Sequence, residues 1–202
     1  MKKIMFNDRY GLTQAVLDGR KTMTRRIATE LNHPNITDIS EWGVDNNGKA
    51  MLLITYDTGL EKDVYPHFQI GDEVAVAQPY KDTNVLSFNA YLPDGLKRHK
   101  EMLSSAGYRN KMFVKAEYMP HRIRIADIKV ERLRNISDVD AIKEGIYDAN
   151  DFMDPGAYTY FGSTNTYKTP HAAFASLIDR ISGKGTWERT PWVYAYEFKL
   201  IK

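Results

Sequence analysis

Four cations, Arg20, Lys21, Arg25 and Arg26, fall within seven residues of this 202-residue chain, with Thr22 and Thr24 between them. Clustered this closely they make a local positive patch, and arginine suits phosphate through its paired N–H donors. A lysine beside a hydroxyl offers different chemistry. If burial lowers its ammonium pKa, the amine can take the hydroxyl proton and leave a nucleophilic oxygen. A solvated charged turn explains the same residues with no function at all. Glu144 is the second residue of interest. It falls in the last turn of a short helix, where the macrodipole disfavours an anion by roughly 0.3–1 kcal/mol. Exposed, it would mean nothing; facing a basic partner such as Lys21, it would orient that partner. Spacing leaves these alternatives open.

Other chemistries lack support. The chain has no cysteine, which excludes a thiol nucleophile, a zinc finger and a disulfide framework. His33, His67, His99, His121 and His171 have no metal-ligand spacing. There is no nucleophile elbow, and Gly183-Lys184-Gly185-Thr186 lacks the spacing of a phosphate loop. Neither a metal nor another cofactor is implied. A net charge of +2 makes no bulk polycation, so any nucleic-acid role rests on where the basic residues sit. The N-terminal residues lack the apolar core of a signal peptide, and no apolar run approaches a membrane span. The expectation is a soluble cytoplasmic protein with no membrane partner; oligomeric state is left open.

The elements that must position these residues are short. Asn7 or Asp8 can cap a helix running to about Asp18, with Leu12, Ala15 and Val16 on one face and Gly19 ending it. Met51 to Tyr56, Glu73 to Ala77 and Lys111 to Tyr118 have strand character. Lys97 to Lys100 form a basic cluster suited to a helix. Between His121 and Leu133, Ile123 and Ile125 have one parity and Ile128 and Val130 the other, which predicts a bulge near Ala126-Asp127. Ser137 caps a helix, with Asp140 as capping-box acid, Ile136 stapling onto Ala141 and Gly145 at its end. Thr169 caps another, with Pro170 first and an apolar stripe of Phe174, Leu177, Ile178 and Ile181 before Gly183. Trp192, Tyr194, Tyr196, Phe198 and Leu200 alternate, predicting a half-buried final strand. Strands with few short helices and no βαβ order argue an α+β fold with a mostly antiparallel sheet, rolled into a barrel. Residues 1–202 are expected to form one domain with insertions.

The run Leu17-Asp18-Gly19-Arg20-Lys21-Thr22-Met23-Thr24-Arg25-Arg26 resembles the signature of the ASCH domains, a branch of the PUA-like superfamily. The likeness continues through Gly71-Asp72-Glu73-Val74, Ile136 to Gly145, Gly185-Thr186-Trp187, Pro191-Trp192-Val193 and Glu197-Phe198. The C-terminal pattern is similar to longer members found in bacteriophages and prophage regions. Stretches near 28–66, 79–110 and 147–168 fall outside it as insertions. The resemblance implies a PUA-like, mostly antiparallel β-barrel with short flanking helices and a cleft that binds RNA or a nucleotide. Compact members include amidohydrolases that deacetylate N4-acetylcytidine with a lysine, a threonine and a glutamate, which match Lys21, Thr24 and Glu144 here. The signature arginine matches Arg26.

Two functions follow. The first is an RNA- or nucleotide-binding protein whose Arg20, Arg25 and Arg26 hold phosphate. Tyr158, Tyr160, Phe161 and Tyr167 would then stack on bases, or simply pack their loop. The alternative is an amidohydrolase acting on a modified nucleoside, with Thr24 as nucleophile, Lys21 as base and Glu144 orienting Lys21. Residues 21 and 24 of a regular strand point to opposite faces, so this requires a turn over Arg20 to Thr22 and a strand starting near Met23. It also requires an oxyanion donor, which the sequence does not identify. Gln78-Pro79-Tyr80 stands where many relatives carry an acid, which puts a ligand contact there in doubt.

Overall fold

A computed structural model describes residues 1–40, 42–83, 94–149 and 156–201. Parts of the insertions near 28–66, 79–110 and 147–168 lie outside the described residues. The first half of the chain runs β1 (Lys2–Ile4), α1 (Leu12–Leu17), β2 (Met23–Ile27), β3 (Ile36–Ile39), β4 (Gly43–Val44), β5 (Ala50–Tyr56), β6 (Glu61–Val64) and β7 (Glu73–Val76). Then come α2 (Gly95–Ser104), β8 (Arg122–Arg132), α3 (Asp138–Lys143), β9 (Tyr147–Asp148), β10 (Tyr158–Thr159), α4 (Pro170–Ser182), α5 (Thr186–Arg189) and β11 (Trp192–Ile201). Among the described residues no helix is long and apolar enough to cross a membrane.

The fold is α+β, with mostly antiparallel sheets and short helices. The main sheet has the order β1-β7-β8-β11-β2, in which only β1 and β7 run parallel. Its ladder ends at β1 and β2; among the described residues no pairing of these two edges closes a barrel. An Arg26 N–H instead reaches from β2 to the carbonyl of Met5, just past β1. β3, β4, β5 and β6 form a separate small sheet.

Parity explains the centre of the main sheet. Asp127 pairs with Glu197 and Ile125 with Phe198, so Ala126 has no opposite number and forms the expected bulge. The extra residue lets Ile123, Ile125 and Ile128 all face the core despite their opposite parities. β11 departs from the half-buried strand that its alternation predicts. It lies between β8 and β2, and Val193 and Ala195 on its second face are buried too.

The helices follow their caps. The Ser137 hydroxyl accepts from the Asp140 N–H at 3.1 Å, and that of Thr169 from the Ala172 N–H at 3.1 Å. α2 carries Lys97 to Lys100 as expected. The first helix is not continuous. Asn7 caps a single 3-10 turn, Asp8–Tyr10, and Gly11 then takes a left-handed φ of 60° before α1 begins. A β-carbon at Gly11 would also lie 2.9 Å from the Phe161 ring. Lys111 to Tyr118 forms two 3-10 turns in place of a strand, the first capped by Asn110, so local bonds take the place of a ladder.

Candidate functional site

The backbone between α1 and β2 sets the position of Lys21. Its N–H donates to the Ala15 carbonyl at 2.8 Å, and the Thr22 N–H donates to that of Lys143 at 2.9 Å. These bonds hold residues 18–22 as a turn against α1 and α3, and β2 begins only at Met23. Lys21 and Thr24 therefore escape the opposite facing of a regular strand, and both line one cavity.

Lys21 is 2% exposed and Glu144 is 4% exposed. The Lys21 ammonium donates to the Met23 carbonyl at 2.7 Å, the Glu144 carbonyl at 2.8 Å and Glu144 Oε2 at 2.6 Å. All three of its N–H groups are thus used. Glu144 closes α3, and Gly145 follows at φ 106°, where a β-carbon would lie 3.3 Å from Leu12 and 3.8 Å from Lys21. The glycine lets the helix end approach the lysine.

Arg25 enters the same network. Its Nε and Nη2 donate to Glu131 Oε1 at 2.9 and 2.6 Å, and Nη2 also reaches Asp140 Oδ2 at 3.1 Å. Nη1 donates to Glu144 Oε1 at 3.2 Å. Asp140 thus gives its carboxylate to Arg25. Burial lowers the Lys21 pKa below the ordinary lysine range, and the Glu144 charge only partly opposes it. For Arg25 burial likewise works against the charge, but Glu144, Glu131 and Asp140 outweigh it and raise the pKa.

Arg26 is different. It is half-buried, lies over the Phe6 ring at 5.7 Å, and pairs with no described carboxylate. Burial lowers its pKa, with partial relief from Glu144, so its positive charge is the least compensated of the cluster. Arg20 is exposed, pairs with Asp18 at 2.9 Å and does not line the cavity. Three of the four clustered cations are thus matched to acids, Arg20 on the surface and Lys21 and Arg25 in the interior.

The cavity measures about 510 Å³, a volume usual for small-molecule sites. Lys21, Thr24, Arg25, Arg26 and Glu144 line it, together with the polar side chains of Asn7, Asp8, Lys111 and Ser182. Thr24 is buried, and its hydroxyl makes no hydrogen bond with another described residue, Lys21 included. Comparisons with protein-family models, with curated proteins and with solved structures found no match to this chain.

The loop tyrosines do not line this cavity. Tyr160 and Tyr167 stack at 6.2 Å and both bond to Ser176 on α4, so they hold their loop to the helix. Gln78 is buried outside the cavity, with Oε1 unpartnered among the described residues. No described group of three or more His, Asp or Glu side chains could hold a metal ion. Sequence reasoning missed Glu131 and Asp140 as partners of Arg25. It also missed the place of the α4 stripe in the cavity wall, because no local signal joins residues so distant along the chain.

Proposed function

We propose that this chain is an ASCH-type, PUA-like domain, with an incompletely closed barrel, that hydrolyses the amide of an acylated nucleoside. The observation that carries this reading is the buried Lys21–Glu144 pair in a cavity of about 510 Å³ that Thr24 also lines with a hydroxyl bonded to no described residue.

In the proposed reaction Thr24 Oγ attacks the amide carbonyl carbon while its proton passes to the neutral Lys21 amine. The tetrahedral intermediate expels the nucleoside amine, which takes that proton from Lys21 as the C–N bond breaks. Water then attacks the Thr24 ester, giving up a proton through Lys21, and the carboxylic acid leaves with the hydroxyl restored. Glu144 holds the Lys21 nitrogen in place through both steps. Arg26 shares a face of β2 with Thr24, and its uncommitted N–H groups are suited to the developing oxyanion. Depression of the Lys21 pKa by burial favours the neutral amine that the first step needs.

A second reading is nucleotide or RNA binding without turnover, favoured by Arg26, which lines the cavity and forms no ion pair with a described carboxylate. Incubation with N4-acetylcytidine, following cytidine by chromatography, separates the two. Release that Thr24→Ala abolishes in a folded protein supports hydrolysis; release that survives the substitution refutes Thr24 as nucleophile. Absence of release, together with salt-sensitive binding of cytidine monophosphate that Arg26→Ala removes, would establish the second reading instead.

A further inference from the structure

The cavity has an apolar wall. Phe174, Leu177, Ile178 and Ile181 repeat at helical spacing on α4, and all four line the cavity, with Val193 of β11 beside them. Exposure along this stripe rises from 2% at Phe174 and 1% at Leu177 to 8% at Ile178 and 36% at Ile181. The stripe therefore runs from the floor of the cavity to its mouth, over roughly 10 Å of helix. At the mouth Ile181 is joined by Met5 and Ile27, each 40% exposed. These three large apolar side chains line the cavity and each keeps more than a third of its surface exposed. They suit a ligand with an apolar portion that continues outward.

Resting on the reading of the site as an amide hydrolase, we infer that the substrate carries an acyl group larger than acetyl, an aliphatic chain of several carbons laid along α4. The amide carbonyl sits beside Lys21, Thr24 and Arg26. Its two substituents must leave in different directions; the α4 stripe offers the acyl chain an apolar wall, and Asn7, Asp8 and Lys111, which line the same cavity, offer the nucleoside polar partners. The nucleoside, rich in hydroxyls and ring nitrogens, gains nothing from that wall, whereas each methylene gains by leaving water. Acetyl would reach only the floor and leave Ile181, Met5 and Ile27 wet.

The test is a series of N4-acetyl-, N4-butanoyl- and N4-hexanoylcytidine given to the intact protein. We expect kcat/KM to rise about three- to fourfold for each added methylene, within the span that the stripe covers. Ile181→Glu should flatten the series, lowering the hexanoyl-to-acetyl ratio at least fivefold, with a thermal melt confirming the fold. Hydrolysis of the acetyl compound as fast as or faster than the hexanoyl one would overturn the inference and leave the amidohydrolase reading standing. Equilibrium binding of the same series to Thr24→Ala protein separates the remaining cases. If nothing is hydrolysed but the hexanoyl compound binds at least tenfold tighter than the acetyl one, the acyl wall stands and the hydrolysis falls. If nothing is hydrolysed and the compounds bind equally or not at all, both fall.

Discussion

Lys21 and Glu144 are joined twice, by the side-chain carboxylate at 2.6 Å and by the main-chain carbonyl at 2.8 Å. The second bond survives any substitution at 144 that leaves the helix end intact, but the charge does not. Glu144 also neutralises Arg25, so its loss leaves two buried cations short of a partner. Glu144→Ala should cost about 3–5 kcal/mol in urea unfolding, and Glu144→Gln, which keeps an acceptor, should fall at or below the low end of that range. A cost under about 1 kcal/mol for Glu144→Ala would contradict the tight ion pair.

Thr24 offers the opposite case. Its hydroxyl makes no hydrogen bond with a described residue, so Thr24→Ala should change the free energy of unfolding by no more than about 1 kcal/mol. The same substitution should remove turnover. Stability and activity measured on one preparation check both halves, and a large loss of stability would show a structural role instead.

Acid–base behaviour follows from the buried lysine. Burial holds the folded-state pKa of Lys21 below its ordinary 10.5. Between that depressed value and 10.5 the unfolded chain binds the proton more readily than the folded one. This lysine's contribution to stability is therefore smallest below the folded pKa, rises with pH through the window and is complete above 10.5. Wild-type protein should gain stability relative to Lys21→Met as the pH is raised across it, measured by urea unfolding at successive pH values. Turnover should rise with pH along the same titration, because the free amine is the base.

Deleting Ala126 should be severe although its side chain is small and exposed. Without the extra residue, either Ile123 and Ile125 or Ile128 must turn to solvent. Each buried isoleucine so exposed costs about 1.5–3 kcal/mol, enough to consume much of a typical domain's stability. A deletion variant that melts like the parent would mean that the strand can take up the slack elsewhere.

Features written in neighbouring residues are legible in the sequence itself. The parity switch around Ala126, the Ser137 cap and the Thr169-Pro170 helix start each depend on a handful of adjacent positions. The turn ahead of Met23 is legible as a requirement, since Lys21 can reach the side of Thr24 in no other way. Reasoning by propensity fails at Gly11, where a left-handed φ divides the helix, and at Lys111 to Tyr118, where strand-forming residues take local turns. The role of Arg25 is beyond its reach. Glu131 and Asp140 lie 106 and 115 residues away, and a patch that looks phosphate-seeking in the sequence is mostly neutralised by acids it meets only on folding. The stripe on α4 is visible as apolar, but only the tertiary arrangement turns its outer end toward an opening.

The place of β2 at the sheet edge has a consequence for biosynthesis. Its sole ladder partner among the described strands is β11, with Met23 to Ile27 paired to Val193 to Glu197. The segment bearing Lys21 and Thr24 is made well before the strand that docks it, with β3 to β10 and four helices between them. Throughout that interval β2 is an unpaired strand in search of a neighbour, a hazard for association between nascent chains. The pocket is thus assembled only once β11 has been made, when the two ends of a very long loop meet.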